Sequence, residues 1–120
     1  MISGKSGFDI YSCYADGRIV HRTFLLPKCF KFPFMGENDL FVGSVWTHPL
    51  YRHKGLSQFV FRQIQNESKK NMNDPNMQFW WMAMESNMGS LELAKRLGFS
   101  EDSLRARKCL GGIYKLYKSE

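Results

Sequence analysis

The fold is decided by residues 45–57, which read VWTHPLYRHKGLS. In this stretch a strand passes through a basic loop into a helix that begins near Gly55. The first N–H groups of a helix have no partner within the helix, and the helix dipole is positive at that end, so the position attracts anions. The glycine lets a phosphate approach the main chain closely, and Arg52, His53 and Lys54 add charge. We therefore expect this loop to bind a phosphate group.

The loop differs from the common nucleotide-binding motifs. A triphosphate-binding loop has the order Gly-x-x-x-x-Gly-Lys-Ser/Thr, and a dinucleotide-binding loop has the order Gly-x-Gly-x-x-Gly. Residues 52–57 follow neither order. The sequence thus argues against a nucleoside-triphosphate enzyme.

The segments on either side of the loop predict two parallel strands joined by a helix. Residues 40–46 form a short apolar run that stops before Pro49, which is typical of a buried central strand. Residues 77–85 are apolar on both faces, as in a strand that is covered on two sides. Between them, helical spacing to about Lys70 places four side chains on one inner face: Leu56, Phe59, Val60 and Ile64. A ligand is expected at the carboxyl ends of the two strands.

The N-terminal third predicts an antiparallel hairpin. Residues 8–14 and 18–26 are rich in strand-forming residues, and they flank Asp16-Gly17, a strong hairpin signal. Residues 26–34 contain two prolines, which favours an irregular or edge segment, and residues 36–39 read as a turn.

The C-terminal part predicts a second hairpin, with strands over residues 104–110 and 113–117 and a turn at Gly111-Gly112. The order of elements then indicates one domain over residues 1–120 with a mixed α/β sheet of five or six strands. We expect this sheet to be mostly antiparallel, with a central parallel pair and helices packed on it.

A second informative segment runs from Asn87 to Phe99 and has the pattern Asn-x-x-Ser-x-x-x-Ala-x-x-x-Gly-Phe. Asn87 can cap a helix, and Gly98 is a typical residue just beyond a helix end. We expect three side chains of this helix to face the core: Leu91, Ala94 and Leu97.

Together the two segments resemble the GNAT family of N-acetyltransferases. The family's cofactor motif, Arg/Gln-x-x-Gly-x-Gly/Ala, corresponds to residues 52–57, with Ser57 as a mild departure at the last position. The resemblance implies acetyl-CoA (CoA) as the cofactor, with its pyrophosphate on main-chain N–H groups and its pantetheine beside the preceding strand. The residues that it assigns to the cofactor are Val45, Thr47, Arg52, His53, Lys54, Gly55, Leu56, Ser57 and Asn87.

Two features depart from the family pattern. Ala94 stands where many members carry a tyrosine that protonates the departing thiolate. The segment before Leu40 is also short for the family's usual N-terminal strand and helices, so those helices are expected to be shortened or absent. These departures keep open a minimal or truncated member, or an acceptor cleft that a partner chain or a second copy completes.

Composition limits the partners and the compartment. A formal net charge of +6 favours a polyanionic partner, but the basic residues are spread along the chain, so nucleic acid is a weak alternative. No apolar stretch is long enough for a membrane span. Three cysteines, Cys13, Cys29 and Cys109, lack the spacing of a zinc site or a disulfide framework, so we expect no metal and a cytoplasmic location.

The sequence offers several ionisable side chains as candidates for the catalytic base. Glu85 follows an apolar strand at the end where an amine should arrive, and partial desolvation would raise its pKa and make it a base. His48 before a proline is more often only hydrogen-bonded, and Asp39 and Glu37 lie at the wrong end of their strand. We expect Glu85 to be catalytic.

The sequence therefore predicts an acyltransferase, most simply an acetyl-CoA-dependent N-acetyltransferase. A primary amine, on a small molecule or a peptide, would attack the thioester directly in a ternary complex. The alternatives are a catalytically weak CoA-binding protein or subunit with this fold, and a basic nucleic-acid-binding module.

Overall fold

The computed structural model describes residues 9–26, 32–101, 107–109 and 112–119, and for residues 107–109 and 112–114 it describes only the main chain. Within these residues the chain forms seven strands and two α-helices. The strands are β1 Asp9–Ala15, β2 Arg18–Leu25, β3 Leu40–Thr47, β4 Phe79–Met84, β5 Ser100–Glu101, β6 Arg107–Cys109 and β7 Gly112–Lys118. The helices are α1 Leu56–Asn71 and α2 Met88–Arg96, with a short 3₁₀ helix at Pro49–Tyr51.

The strands form one mixed sheet in the order β1-β2-β3-β4-β7-β5, with β6 also paired to β7. β5 and β6 lie on the same edge of β7, opposite β4. β3 and β4 run parallel, and the other pairs are antiparallel. The predicted mostly antiparallel sheet with a central parallel pair is therefore confirmed.

The N-terminal hairpin forms as predicted. Asp16 and Gly17 have φ angles of 52° and 78°, so both turn residues are left-handed, as a type I′ turn requires. At the other end of the chain, Cys109 pairs with Gly112, which places Gly112 inside β7. The rest of the predicted C-terminal turn, Gly111, lies outside the described residues. So do Phe8, residues 27–31 of the predicted irregular segment, and residues 104–106 and 110 of the predicted strand.

Helix α1 buries a different aromatic residue from the one predicted. Phe59 is 57% exposed, whereas Phe61 is 3% exposed and packs edge-on against Phe79. The buried stripe consists of Val60, Phe61, Ile64 and Ser68. Phe59 and Phe61 are two positions apart and therefore lie on different faces of the helix, and the face that packs against the sheet is the one that carries Phe61.

Helix α2 ends as predicted. The left-handed Gly98 has a φ of 94°. Its N–H donates to the carbonyl of Lys95, and the N–H of Phe99 donates to that of Ala94. These two bonds form a Schellman motif, which satisfies carbonyls at the helix end.

Two apolar clusters hold the sheet, one on each face. The larger cluster lies between the sheet and both helices, and the smaller one includes Met35, Phe41, Trp80 and Leu116. Burial of each large side chain contributes roughly 1.5–3 kcal/mol relative to exposure. Among the described residues, no helix combines the length and the apolar character that crossing a membrane requires.

Candidate active site

The site is a cleft where the two parallel strands separate. β3 and β4 are paired only at Leu40 with Phe79 and at Phe41 with Trp80. Beyond these pairs lies a cleft of about 920 Å³, lined by the carboxyl-terminal halves of both strands and by the start of both helices. The prediction of a buried β3 is therefore wrong for its second half, where Trp46 is 37% exposed.

A β-bulge in β3 lies at the point where the strands part. Phe24 pairs with Ser44 and Leu25 pairs with Val42, so Gly43 has no partner in β2. Bulges bend and twist a strand locally. We infer that this bend contributes to the opening between β3 and β4.

The cleft exposes two strand edges. Over residues 42–47 of β3 and 81–84 of β4, each strand pairs on its far side, with β2 and β7 respectively. On the near side, no strand among the described residues pairs with either. An extended ligand with amide groups can add to such an edge through main-chain hydrogen bonds.

One end of the cleft is the start of α1. Within the described part of the chain, the N–H groups of residues 53–58 have no main-chain acceptor, and the first bond of the helix joins the Phe59 N–H to the Gly55 carbonyl. Gly55 has a φ of 76°, and a Cβ placed there would meet only the Gln58 Oε1 atom, at 3.8 Å. His53 is also left-handed, with a φ of 63°. The loop thus presents a row of free donors in open space.

The loop that leads to α1 is held by side chains. The Nε–H of Arg52 donates to the Thr47 carbonyl at 2.9 Å, which ties the loop to the end of β3. The Leu50 N–H donates to His48 Nδ1 at 3.1 Å, so His48 caps the 3₁₀ helix. This contact favours the structural interpretation of His48 over a catalytic one.

The charge around the cleft suits an anion. Arg52 and Arg96 line it, and among the described lining residues there is no aspartate or glutamate. Together with the dipole of α1, these groups make the cleft attractive to phosphates.

Most of the residues predicted to bind the cofactor meet in this cleft. The lining includes Val45, Thr47, Arg52, His53, Gly55, Leu56, Ser57 and Asn87. Lys54 does not line it, and its ammonium lies 5.8 Å from the centre of the Tyr51 ring. Asn87 also caps α2, since its side-chain oxygen accepts a hydrogen bond from the Ser90 N–H at 3.2 Å.

Two of the carboxylates considered as bases have different surroundings in the structure. Glu85 is exposed in the turn after β4 and does not line the cleft, so the expected desolvation by the preceding strand is absent. Asp39 is buried, and its carboxylate accepts hydrogen bonds from the N–H groups of Gly36 and Gln78 and from the Trp80 indole. Asp39 therefore has a structural role.

Ala94 is fully buried in the cluster between α2 and the sheet. It does not line the cleft. The position at which many relatives carry a tyrosine is thus part of the core in this chain.

One buried histidine next to the site was not identified from the sequence. His21 is 0% exposed, and its Nδ1 lies 2.7 Å from Thr47 Oγ1 while its Nε2 lies 2.8 Å from Thr23 Oγ1. Burial lowers the pKa of this imidazole to about 4. The alternation of His21, Thr23 and Leu25 in the sequence could have indicated that all three lie on the inner face of β2.

The comparisons with known proteins agree with this geometry. A model of the acetyltransferase (GNAT) family matches residues 12–99. A search of curated protein sequences finds no match.

Three solved structures illustrate the likeness in fold. A protein from Desulfovibrio desulfuricans described as an acetyltransferase of the GNAT family has a TM-score of 0.75 at 14% identity, covering 95% of this chain and 69% of its own. The ribosomal-protein-S18-alanine N-acetyltransferase from Escherichia coli has a TM-score of 0.68 at 14% identity, with coverages of 97% and 70%. A GNAT family acetyltransferase from Elizabethkingia anophelis with acetyl-CoA bound has a TM-score of 0.66 at 13% identity, with coverages of 96% and 77%.

At these identities the structural likeness establishes the fold, while the family match extends over most of the chain. The chain belongs to the acetyltransferase (GNAT) family.

Proposed function

We propose that the chain is an acetyl-CoA-dependent N-acetyltransferase whose acceptor is a primary amine on a small molecule or a peptide. The observation that carries the proposal is the continuity of the cleft, in which two open strand edges lead to a row of free N–H donors at the start of α1. CoA has matching parts, since its pantetheine is a chain of amides and its pyrophosphate is an anion.

The residues of the cleft fit this cofactor. The N–H groups from His53 to Ser57 would hold the pyrophosphate, with Arg52 adding charge. The main chain at Val45 and Thr47 would pair with the pantetheine, and Asn87 would add a hydrogen bond. When bound, acetyl-CoA supplies an acetyl group activated as a thioester.

The chain contributes positioning and proton removal to the proposed reaction. We propose that the amine attacks directly in a ternary complex, so the two substrates must be held side by side. An ammonium group has no lone pair, and a base must therefore take a proton before attack. Glu85 remains our proposed acceptor of that proton, through water, because it follows the end of β4.

Glu85→Gln should lower kcat by between about 10-fold and 100-fold while acetyl-CoA affinity stays within twofold. The reduction falls at or below the lower end of the usual range for loss of a general base, because the carboxylate is exposed and water competes with it. Release of free thiol from acetyl-CoA, followed from acidic to basic pH with an accepted amine, measures the effect. Glu92→Gln removes the same charge from an exposed position on α2 and is the matched control. A Glu85→Gln protein with wild-type rates at every pH would show that the base is elsewhere.

Calorimetric titration with CoA and acetyl-CoA tests the proposed function directly. We expect one site per chain and only a moderate fall in affinity as salt rises, because main-chain donors provide much of the binding. Nucleic-acid binding would instead weaken steeply with salt, through release of counterions. Binding to DNA or RNA at physiological salt without heat from CoA would favour the basic binding module.

CoA binding without thiol release from any amine would support the alternative of a catalytically weak subunit. The buried Ala94 gives that alternative its basis, since no tyrosine stands at this position. A cytoplasmic location, and a second copy or partner chain that completes the acceptor cleft, also remain proposals.

A further inference from the structure

A chain of hydrogen bonds leads from the interior of the sheet to the cleft. The oxygen atoms of Thr23 and Thr47 lie 2.8 Å and 2.7 Å from the two ring nitrogens of His21, and Thr47 Oγ1 lies 3.2 Å from Ser57 Oγ. His21 and Thr23 are buried, whereas Thr47 and Ser57 line the cleft. The chain therefore connects a buried imidazole to the first turn of α1.

The protons of this chain have two self-consistent arrangements, because a neutral imidazole has one donor nitrogen and one acceptor nitrogen. In the outward arrangement, Nδ1–H of His21 donates to Thr47, Thr47 donates to Ser57, and the Ser57 hydroxyl is free to donate into the cleft. In the inward arrangement, Ser57 donates to Thr47 and Thr47 donates to Nδ1. Ser57 then presents only lone pairs to the cleft.

The outward arrangement suits both ends of the chain. Phosphate oxygens accept hydrogen bonds, so a phosphate in the cleft is attracted by the Ser57 proton and repelled by its lone pairs. At the buried end, the outward arrangement has the Thr23 hydroxyl donating to Nε2. The inward one leaves that proton without an acceptor among the described residues, and an unsatisfied buried donor is costly.

We propose that His21 is a positioning residue, which in its Nδ1–H form directs the Ser57 hydroxyl toward a phosphate oxygen of CoA. The inference rests on the proposed function, since it needs CoA in this cleft. His21 does not line the cleft and acts through Thr47, whose carbonyl also accepts the hydrogen bond from Arg52. Ser57 departs from the small apolar residue usual at this position in the family, and its hydroxyl allows the chain of hydrogen bonds to reach the cleft.

Nitrogen NMR of the wild-type chain with saturating CoA tests the arrangement of protons. The shifts and two-bond couplings of the His21 ring distinguish the two tautomers, and a His21→Gln sample identifies its signals. We expect a protonated Nδ1 and an unprotonated Nε2 in the complex. The opposite tautomer in the complex would overturn the proposal.

Affinities for CoA test whether the hydrogen bonds from His21 to Ser57 act as a unit. Ser57→Ala should lower the affinity about 10-fold, because a hydrogen bond to a charged acceptor is lost. Thr47→Val should lower the affinity less, because Ser57 keeps its proton and loses only the group that directs it. The double variant should bind no more weakly than Ser57→Ala, since both changes act through the same hydroxyl. Ser100→Ala, at an exposed position in β5, is the control and should bind as wild type.

The outcomes separate this inference from the proposed function. If the wild-type chain binds no CoA, both are wrong. If it binds CoA and Ser57→Ala binds equally well, or if the two losses are simply additive, only the inference fails.

Discussion

Gly55→Glu should lower CoA affinity by about 100-fold or more, because it places a side chain and a negative charge at the start of α1. Gly55 is left-handed, and the space beside it is open, so the glutamate can be accommodated but occupies the proposed position of the phosphate. Repulsion between like charges at a binding interface costs several kcal/mol, and each 1.4 kcal/mol is about tenfold in affinity. Calorimetry with CoA measures the loss, and circular dichroism checks the fold.

Gly17→Glu is a matched control for backbone strain. Gly17 has a φ of 78°, close to the 76° of Gly55, and nothing lies within 4 Å of an added Cβ. It stands in the turn between β1 and β2 and does not line the cleft. We expect its stability to fall by about 1–2 kcal/mol from the left-handed conformation, with unchanged CoA affinity. A folded Gly55→Glu protein that binds CoA like the Gly17→Glu protein would refute the phosphate site, and Gly55→Gln separates charge from bulk.

Local signals in the sequence were sufficient for both helices and for the order of the longer strands, but they did not indicate β5, so the sheet has seven strands rather than the five or six expected. The Asp16-Gly17 pair specified a turn that only left-handed residues can form, and Gly98 specified the end of α2, because both depend on residues next to each other in the chain. The passage from loop to helix at Gly55 was predictable for the same reason, since the glycine and the helix start are contiguous.

The features that the sequence did not indicate depend on contacts between residues that are far apart along the chain. The separation of β3 from β4 follows from where pairing stops, and no local pattern marks the residue after Phe41 as that point. The choice of Phe61 over Phe59 as the buried aromatic depends on its contacts with Phe79 and Phe99. Glu85 follows an apolar strand, but a turn carries it into solvent.

His21 illustrates the limit most clearly, because one of its partners, Thr47, comes from β3 and in turn contacts Ser57 of α1. A histidine in an amphipathic strand reads as an ordinary strand residue. Only the fold shows that both of its ring nitrogens are engaged by hydroxyl groups away from water. That burial has a consequence for stability at low pH.

We expect the free energy of unfolding to fall by about 3 kcal/mol between pH 7 and pH 4 because of His21 alone. Burial lowers its pKa from 6.5 to about 4. Between these two pH values the imidazole binds a proton in the unfolded chain but not in the folded chain. About one pH unit above 6.5 both states are neutral and the effect vanishes. Urea unfolding at a series of pH values, compared between wild type and His21→Gln, isolates this contribution from that of the carboxylates. The variant should be less stable at pH 7 but lose less stability on acidification, whereas His53→Gln, which removes an exposed imidazole, should keep the wild-type loss. Equal losses in wild type and His21→Gln would mean that His21 takes up its proton in the folded state.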